Sequence, residues 1–247
     1  TSYAWNVPLD DTISAKVRLV GTDNAGNTVT ATTSTFKIDS TAPIATISDI
    51  SGPLKGTDSV TVTLSASDAL SGIAGLKLQY AADGTSFSDV ATLANNATSI
   101  AWTVPSADVT TAKLRIMATD AAGNSATATS TAFMIDSTAP SLTAGQMTIN
   151  DGATATTTNY VQVSLKGIDS SSNITHFCLK FNSTTAPAAS DSCWNAVNAP
   201  APGLTPAKSL DLVHFAFPVG FTSGVYTVYA WLKDQPGNVS SLTNSGS

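Results

Sequence analysis

The feature that most constrains this chain is an internal repeat. Thr22-Asp23-Asn24-Ala25-Gly26-Asn27, followed by Phe36-Lys37-Ile38-Asp39-Ser40-Thr41-Ala42-Pro43, recurs 97 positions later as Thr119-Asp120-Ala121-Ala122-Gly123-Asn124 and Phe133-Met134-Ile135-Asp136-Ser137-Thr138-Ala139-Pro140. Aligned without a gap, residues 3–43 and 100–140 share 23 identities in 41 positions, among them Trp5/Trp102 and Pro8/Pro105. A repeat this faithful is a unit of architecture. A diverged third turn stands at Lys233-Asp234-Gln235-Pro236-Gly237-Asn238. A period of 97 in 247 residues leaves about two and a half units, each of ordinary domain size. Residues 1–40 therefore read as the back half of a unit, 41–137 as a complete unit, and 138–247 as a diverged unit carrying an insertion near 182–210.

Within the complete unit the apolar residues alternate with period two, which places successive side chains on opposite faces of a strand. Seven strands are predicted, at 44–50, 59–67, 75–81, 86–93, 98–104, 112–119 and 125–135. Turn residues separate them at Gly52-Pro53, Asp68–Gly72, Asp83-Gly84 and Asn95-Asn96. The inward sets are Val60, Val62 and Leu64; Leu76, Leu78 and Tyr80; Ile100, Trp102 and Val104; and Leu114, Ile116 and Ala118, with Lys77, Gln79, Lys113 and Arg115 facing water. Helical periodicity is missing, so the expected class is all-β: tandem sandwiches of short strands in an elongated array. In the last unit Phe177, Leu179 and Phe181 are expected inward, and Cys178 outward. A half sandwich exposes its apolar face and its strand edges, so residues 1–40 need a cover.

Charged residues make up only 11% of the chain, the formal net charge is −6, and Ser and Thr occupy the surface role that Lys and Glu usually fill. Without a basic cluster interleaved with aromatics, nucleic acid is not an expected partner. No apolar run reaches membrane-spanning length. A chain that opens on Thr, with no leader or anchor in view, is expected to be a piece of something longer. Cys178 and Cys193 lie 15 apart, a spacing suited to a loop-closing disulfide and unlike a metal or redox pair. Two unpaired buried thiols are the alternative.

Asp-x-Ala-Gly-Asn, then a strand ending Ile-Asp-Ser-Thr-Ala-Pro, with Trp-x-x-Pro before the preceding strand, resembles the tandem immunoglobulin-like, fibronectin type III and cadherin-like repeats of large bacterial cell-surface adhesins. The last unit, with Phe181, Pro187, Trp194, Tyr229-Ala230-Trp231 and its own Asp234-to-Asn238 turn, resembles a related module of such strings. The resemblance implies an extracellular location, on a bacterial surface or appendage, and a non-enzymatic role in attachment or spacing. Its implied partners are other modules of the same longer chain, identical chains in a filament, or host and cell-surface glycans or proteins.

In an immunoglobulin-type sandwich the loop between the second and third strands and the last hairpin share a pole with the entering linker. Asp39 is thus expected to meet Asp68 and Asp120, and Asp136 to meet Asp169 and Asp234, with Asn124 and Asn238 nearby. Three carboxylates beside backbone carbonyls suit Ca²⁺, which takes six to eight oxygens in irregular geometry. Related adhesin repeats hold calcium at such places, so Ca²⁺ is the expected cofactor. The competing reading makes these residues Asx-turn formers beside glycine.

Trp194, Tyr229 and Trp231 form a second candidate site. Tyr229 and Trp231 take outward parity, where aromatics stack on sugars if exposed. The alternative is a satellite core under the disulfide-held insertion. His176 and His214 lack a nucleophile motif around them, so no catalytic residue is proposed from the sequence.

Overall fold

The computed structural model of the chain describes residues 2–158, 160–197, 207–216 and 223–244, with 143–146, 160, 166, 207–216 and 243–244 described by backbone alone. The part of the expected insertion at 198–206 lies outside the described residues. Among the described residues the chain is all-β, interrupted by a short 3-10 turn at Asn150–Gly152 and by no α-helix. Two compact units form, one from Thr1–Ile50, Ser59–Trp102 and Thr111–Ala132, the other from Ser51–Asp58, Thr103–Thr110 and Phe133–Ser247.

The first unit opens with two two-stranded antiparallel pairs, the second of them a hairpin. β1 (Thr12–Ala15) pairs β4 (Phe36–Ile38), and β2 (Arg18–Thr22) pairs β3 (Thr28–Thr32), both antiparallel. These residues carry the core pattern of the repeat without its burial. Trp5, Val7 and Leu19 are 48%, 52% and 71% exposed, whereas their counterparts Trp102, Val104 and Ile116 are 6%, 1% and 0%. The remaining strands are β5 (Ile44–Ile47), β6 (Ser59–Ser67), β7 (Ile73–Ala81), β8 (Ser88–Leu93), β9 (Ser99–Thr103), β10 (Val109–Asp120) and β11 (Ser125–Thr129). They form one sheet in the order β5-β6-β9 and another in the order β11-β10-β7-β8, the two-sheet order of an immunoglobulin-like sandwich. Tyr80 of one sheet meets Trp102 of the other, with ring centroids 5.5 Å apart.

Val62, Leu64, Leu76, Leu78, Leu114, Ile116 and Ala118 are buried, while Val60, Tyr80 and Ile100 are half-buried at the margin. Gln79 differs from expectation. It faces outward but is buried, because its amide donates to Asp89 (2.7 Å) and accepts from Arg115 Nε (2.8 Å), whose guanidinium lies 3.9 Å from the Phe87 ring centroid. The strand expected at 125–135 is broken. Ser130 Oγ accepts the Leu114 N–H (3.1 Å) and donates to the Thr131 carbonyl (2.9 Å), so a side chain replaces the ladder there.

The second unit contains β12 (Phe133–Ile135), which forms a parallel bridge from Ile135 to Leu54. Its two sheets come from β13 (Ser141–Ile149), β14 (Tyr160–Ile168), β15 (Ile174–Phe181), β16 (Trp194–Ala196), β17 (Ala207–Ala216), β18 (Val228–Asp234) and β19 (Thr243–Asn244). The orders are β13-β14-β17 and β16-β15-β18-β19, the same topology again. Met147, Val161, Val163 and Leu165 from the first sheet pack with Ile174, Phe177, Leu179, Val228, Ala230 and Leu232 from the second.

Cys178 and Cys193 are joined as a disulfide, with Cα atoms 5.0 Å apart. In register, Cys178 faces Trp194 on one side and Trp231 on the other, so the bond ties the approach to the edge strand β16 to its neighbour β15. The closed loop is short, and by the loop-entropy relation reducing it should lower unfolding free energy by about 3 kcal/mol. Urea midpoints measured with and without reductant check this.

Candidate metal centres

The Asp-x-x-Gly-Asn turn, with Ala before the glycine in the first two occurrences and Pro236 in the third, keeps its Asp–Asn side-chain bond in all three. Asp120 Oδ1 accepts the N–H groups of Gly123 (2.7 Å) and Asn124 (2.8 Å), and Asn124 Nδ2 donates to Asp120 Oδ2 (2.8 Å). Asp234 does the same with Gly237 (2.8 Å), Asn238 (2.6 Å) and the Asn238 amide (2.8 Å). Asp23 and Asn27 repeat the side-chain bond at 2.8 Å. The glycines at these turns have φ of 89°, 99° and 98°, left-handed backbone that only glycine adopts without strain.

At two of the three turns the asparagine does more. Asn124 Nδ2 donates to the Asp39 carbonyl (3.1 Å), and Asn238 Nδ2 to the Asp136 carbonyl (2.9 Å). These asparagines tie the hairpin to the incoming linker as hydrogen-bond donors, which is a clamping role beside the ligand role expected for them. The loop after the second strand of each sandwich arrives by similar chemistry. Asp68 Oδ1 accepts Leu70, Ser71 and Gly72 N–H groups at 2.8–3.1 Å, and Asp169 Oδ1 accepts those of Ser171 (2.9 Å) and Ser172 (2.7 Å).

The consequence is two acidic triads. Asp39, Asp68 and Asp120 present one carboxylate oxygen each within 4.8 Å of one another, and so do Asp136, Asp169 and Asp234. The turn reading and the ligand reading of these residues are compatible: one oxygen of a carboxylate organises its loop while the residue still offers an oxygen to the cluster.

Two further carboxylates stand beside the triads at the same 97-residue spacing, and sequence reasoning missed them. Asp11 accepts the Ser40 N–H (2.7 Å) and the Thr41 hydroxyl; Asp108 accepts the Ser137 N–H (2.7 Å) and the Thr138 hydroxyl. The Thr41 and Thr138 hydroxyls hold these carboxyls below the usual range. Their identity across the repeat was the available signal.

The triads differ in solvation. Asp136, Asp169 and Asp234 are 0%, 2% and 1% exposed, whereas Asp39 and Asp68 are only half-buried. Burial pushes Asp136 up and Asp234 up to about 6, with Asp136 adding like-charge repulsion at Asp234. Asp68 moves the other way, held down chiefly by the Gly72 N–H. Asp136 Oδ2 and Asp169 Oδ2 are buried without a hydrogen-bond partner, while the loop hydroxyls Ser71 Oγ and Ser172 Oγ are so at both triads. Three buried carboxylates this close cannot all be ionised without a compensating charge, and orphaned buried oxygens are what a bound cation would satisfy.

The aromatic candidate resolves differently. Trp231 is 1% exposed, so it is closed to a stacking sugar, which corrects its assignment as a ligand-binding residue. Lys180 Nζ lies 5.7 Å from its ring centroid and ion-pairs with Asp191 (3.2 Å), while Lys233 Nζ sits 4.4 Å from the Trp194 centroid. Trp194 Nε1 donates to the Ala188 carbonyl (2.8 Å), and Trp194 and Tyr229 are half-buried. The outward face of β15 and β18 thus carries a satellite cluster under the disulfide. His176 Nδ1 lies 3.0 Å from Thr175 Oγ1, and burial holds its pKa down. His214 faces Gln162 in the backbone register of β17 on β14.

No protein-family model matches this chain, and no curated protein matches it. Similar solved structures include a 1.5-MDa bacterial ice-binding adhesin, whose structure bears on host cell surface retention: 18% identity, 93% of this chain and 71% of that one, TM-score 0.35. A Ca²⁺-stabilized, ice-binding adhesin of an Antarctic bacterium is 20% identical over 93% of this chain and 54% of that one, with a TM-score of 0.40. A run of titin domains is 13% identical over 94% and 75%, with a TM-score of 0.41. Among the described residues no helix is long and apolar enough to cross a membrane.

Proposed function

We propose that this chain is a run of immunoglobulin-like modules from an extracellular bacterial protein of the adhesin type, a non-enzymatic stalk whose repeats space or attach a functional end at a cell surface. The modules are the back half of one repeat at 1–40, a complete repeat at 41–137 and a diverged one at 138–247. The observation that carries this reading is the recurrence of one device at the head of two successive modules: a closing Asp, a loop Asp and a hairpin Asp–Asn pair gathered on a short linker that runs to Pro43 or Pro140. Each triad binds Ca²⁺. Asp39, Asp68 and Asp120 supply oxygens to the first ion, and Asp136, Asp169 and Asp234 to the second, with the cation balancing their charge and pinning the linker to two loops. The partners are the other modules of the longer chain and a cell-surface protein or glycan recognised elsewhere in it.

A second reading is favoured by the bare core positions of residues 1–40. Trp5, Val7 and Leu19 match buried residues of the complete repeat, so a front-half segment like 44–93 fits over them. Supplied by an identical chain, that segment would make the protein a filament subunit joined by strand complementation. Sedimentation velocity of the full chain in calcium and in chelator tests both readings. A monomer whose frictional ratio falls when calcium is removed supports the stalk; concentration-dependent oligomers that persist in chelator support the filament and overturn the stalk.

A further inference from the structure

The two triads are assembled from corresponding segments but are not chemically equal, and the inequality bears on regulation. In the first, Asp39 has both oxygens engaged: Oδ1 accepts the Thr41 N–H (3.1 Å) and Oδ2 the Ser71 N–H (3.1 Å). In the second, Asp136 Oδ1 accepts the matching Thr138 N–H (3.1 Å), but whereas Ser71 shares its N–H between Asp68 (2.8 Å) and Asp39, the Ser172 N–H goes to Asp169 (2.7 Å), and Asp136 Oδ2 is left buried without a hydrogen bond. Asp169 Oδ2 is orphaned in the same way, whereas the loop serine hydroxyl lacks a partner at both sites, Ser71 Oγ at the first and Ser172 Oγ at the second.

Charge differs as well. Lys37 Nζ donates to the Leu70 carbonyl (2.8 Å), placing an ammonium on the loop that carries Asp68. The repeat equivalent of Lys37 is Met134, so that position brings no charge to the second loop. The first triad thus has internal donors and a nearby cation of its own, and remains partly in water. The second leaves two of its carboxylate oxygens without a donor, and its three carboxylates are at most 2% exposed. Ionised carboxylates that are desolvated and short of donors gain most from a metal, because the cation replaces solvation they have already lost.

We propose that the Asp136/Asp169/Asp234 site holds Ca²⁺ at least about tenfold more tightly than the Asp39/Asp68/Asp120 site, so that falling calcium releases the first linker while the second stays pinned. This rests on the calcium reading above. A chain with such graded sites loosens in steps, and the junction ahead of the complete repeat responds first.

Calorimetric titration of the chelator-stripped full chain with calcium tests it. Two classes of one ion each are expected, with dissociation constants at least about tenfold apart. Asp169→Asn should abolish the tighter class and leave the weaker. Asp68→Asn, on the half-buried loop, should do the reverse, so this variant alone decides the assignment if Asp169→Asn misfolds. Lys37→Met should draw the weaker constant toward the tighter. Two equal classes, or loss of the tighter class in Asp68→Asn, overturns the inequality and leaves calcium binding intact. Absence of any binding in millimolar calcium overturns both.

Discussion

Transfer of the full chain from millimolar calcium to chelator is expected to lower its melting temperature by about 10 °C. A ligand present at about a hundredfold over its dissociation constant adds about 2.7 kcal/mol to the folded state, and a domain of this size gains about 4 °C or more per kcal/mol. The second unit should shift most, because its three carboxylates are buried to within 2% of full coverage and two of their oxygens have no partner from the protein. Magnesium should restore less of the shift, since it demands a stricter octahedron and holds its waters. Superimposable melts in calcium and chelator would reduce the triads to turn chemistry.

Lowering the pH should move the stripped and calcium-loaded forms in opposite directions. Asp234 has a folded pKa of about 6, above the ordinary 3.8, and Asp136 is raised too, both chiefly by burial. A carboxyl whose folded pKa is raised binds its proton more tightly in the native state. Its contribution to stability is complete below about pH 4 and is lost as pH climbs through about 6. In chelator, therefore, the second unit should be more stable near pH 5 than near pH 7, the reverse of the usual behaviour of paired carboxylates. In calcium the sign inverts, because the ion requires the charged form and protons compete with it. The carboxyls held low, Asp11, Asp68 and Asp108, lose their contribution only at lower pH, below their ordinary value, whereas His176, held below its ordinary 6.5 by burial, opposes the effect as pH falls, so the curves are compared in a His176→Gln background. Denaturant midpoints at several pH values, with and without calcium, give the two curves. Parallel curves would show that Asp234 and Asp136 are not part of a cation site.

Much of the fold was legible because it is written in period two. Strand 59–67 was read to the residue, and the inward sets around Leu64, Leu78 and Ile116 face the core as alternation requires. Breaks made by side chains were not legible. Ser130 interrupts a strand through its hydroxyl, and Gln79 is buried by partners from two neighbouring strands, neither of which shows in a hydropathy pattern. The triads could be anticipated because sandwich topology brings linker, loop and hairpin together from spacing alone. Their unequal solvation could not, since the same Asp in the same motif is half-buried at position 39 and fully buried at 136. Asp11 and Asp108 escaped notice although both are conserved across the internal repeat, because a lone loop Asp carries no pattern until its acceptor role toward Thr41 or Thr138 is seen. For Trp231 alternation gave only the outward parity, and the cover had to be read from Cys178 on the same face, as the satellite-core alternative did.

The clamp from Asn124 to the Asp39 carbonyl gives the repeat boundary a meaning for how such a gene can be cut and rejoined. Each triad takes its first carboxylate from the end of one repeat and its other two from the repeat that follows. A crossover within the linker between unlike repeats would assemble a mixed triad, and it would succeed only where both parents had kept the same closing Asp and the same hairpin. Whole-period duplication preserves the set automatically. A fragment begun at Thr41 keeps Asp68 and Asp120 but discards Asp39, so the natural interchangeable part runs from one closing Asp to the next, offset from the sandwich that the eye picks out as the domain.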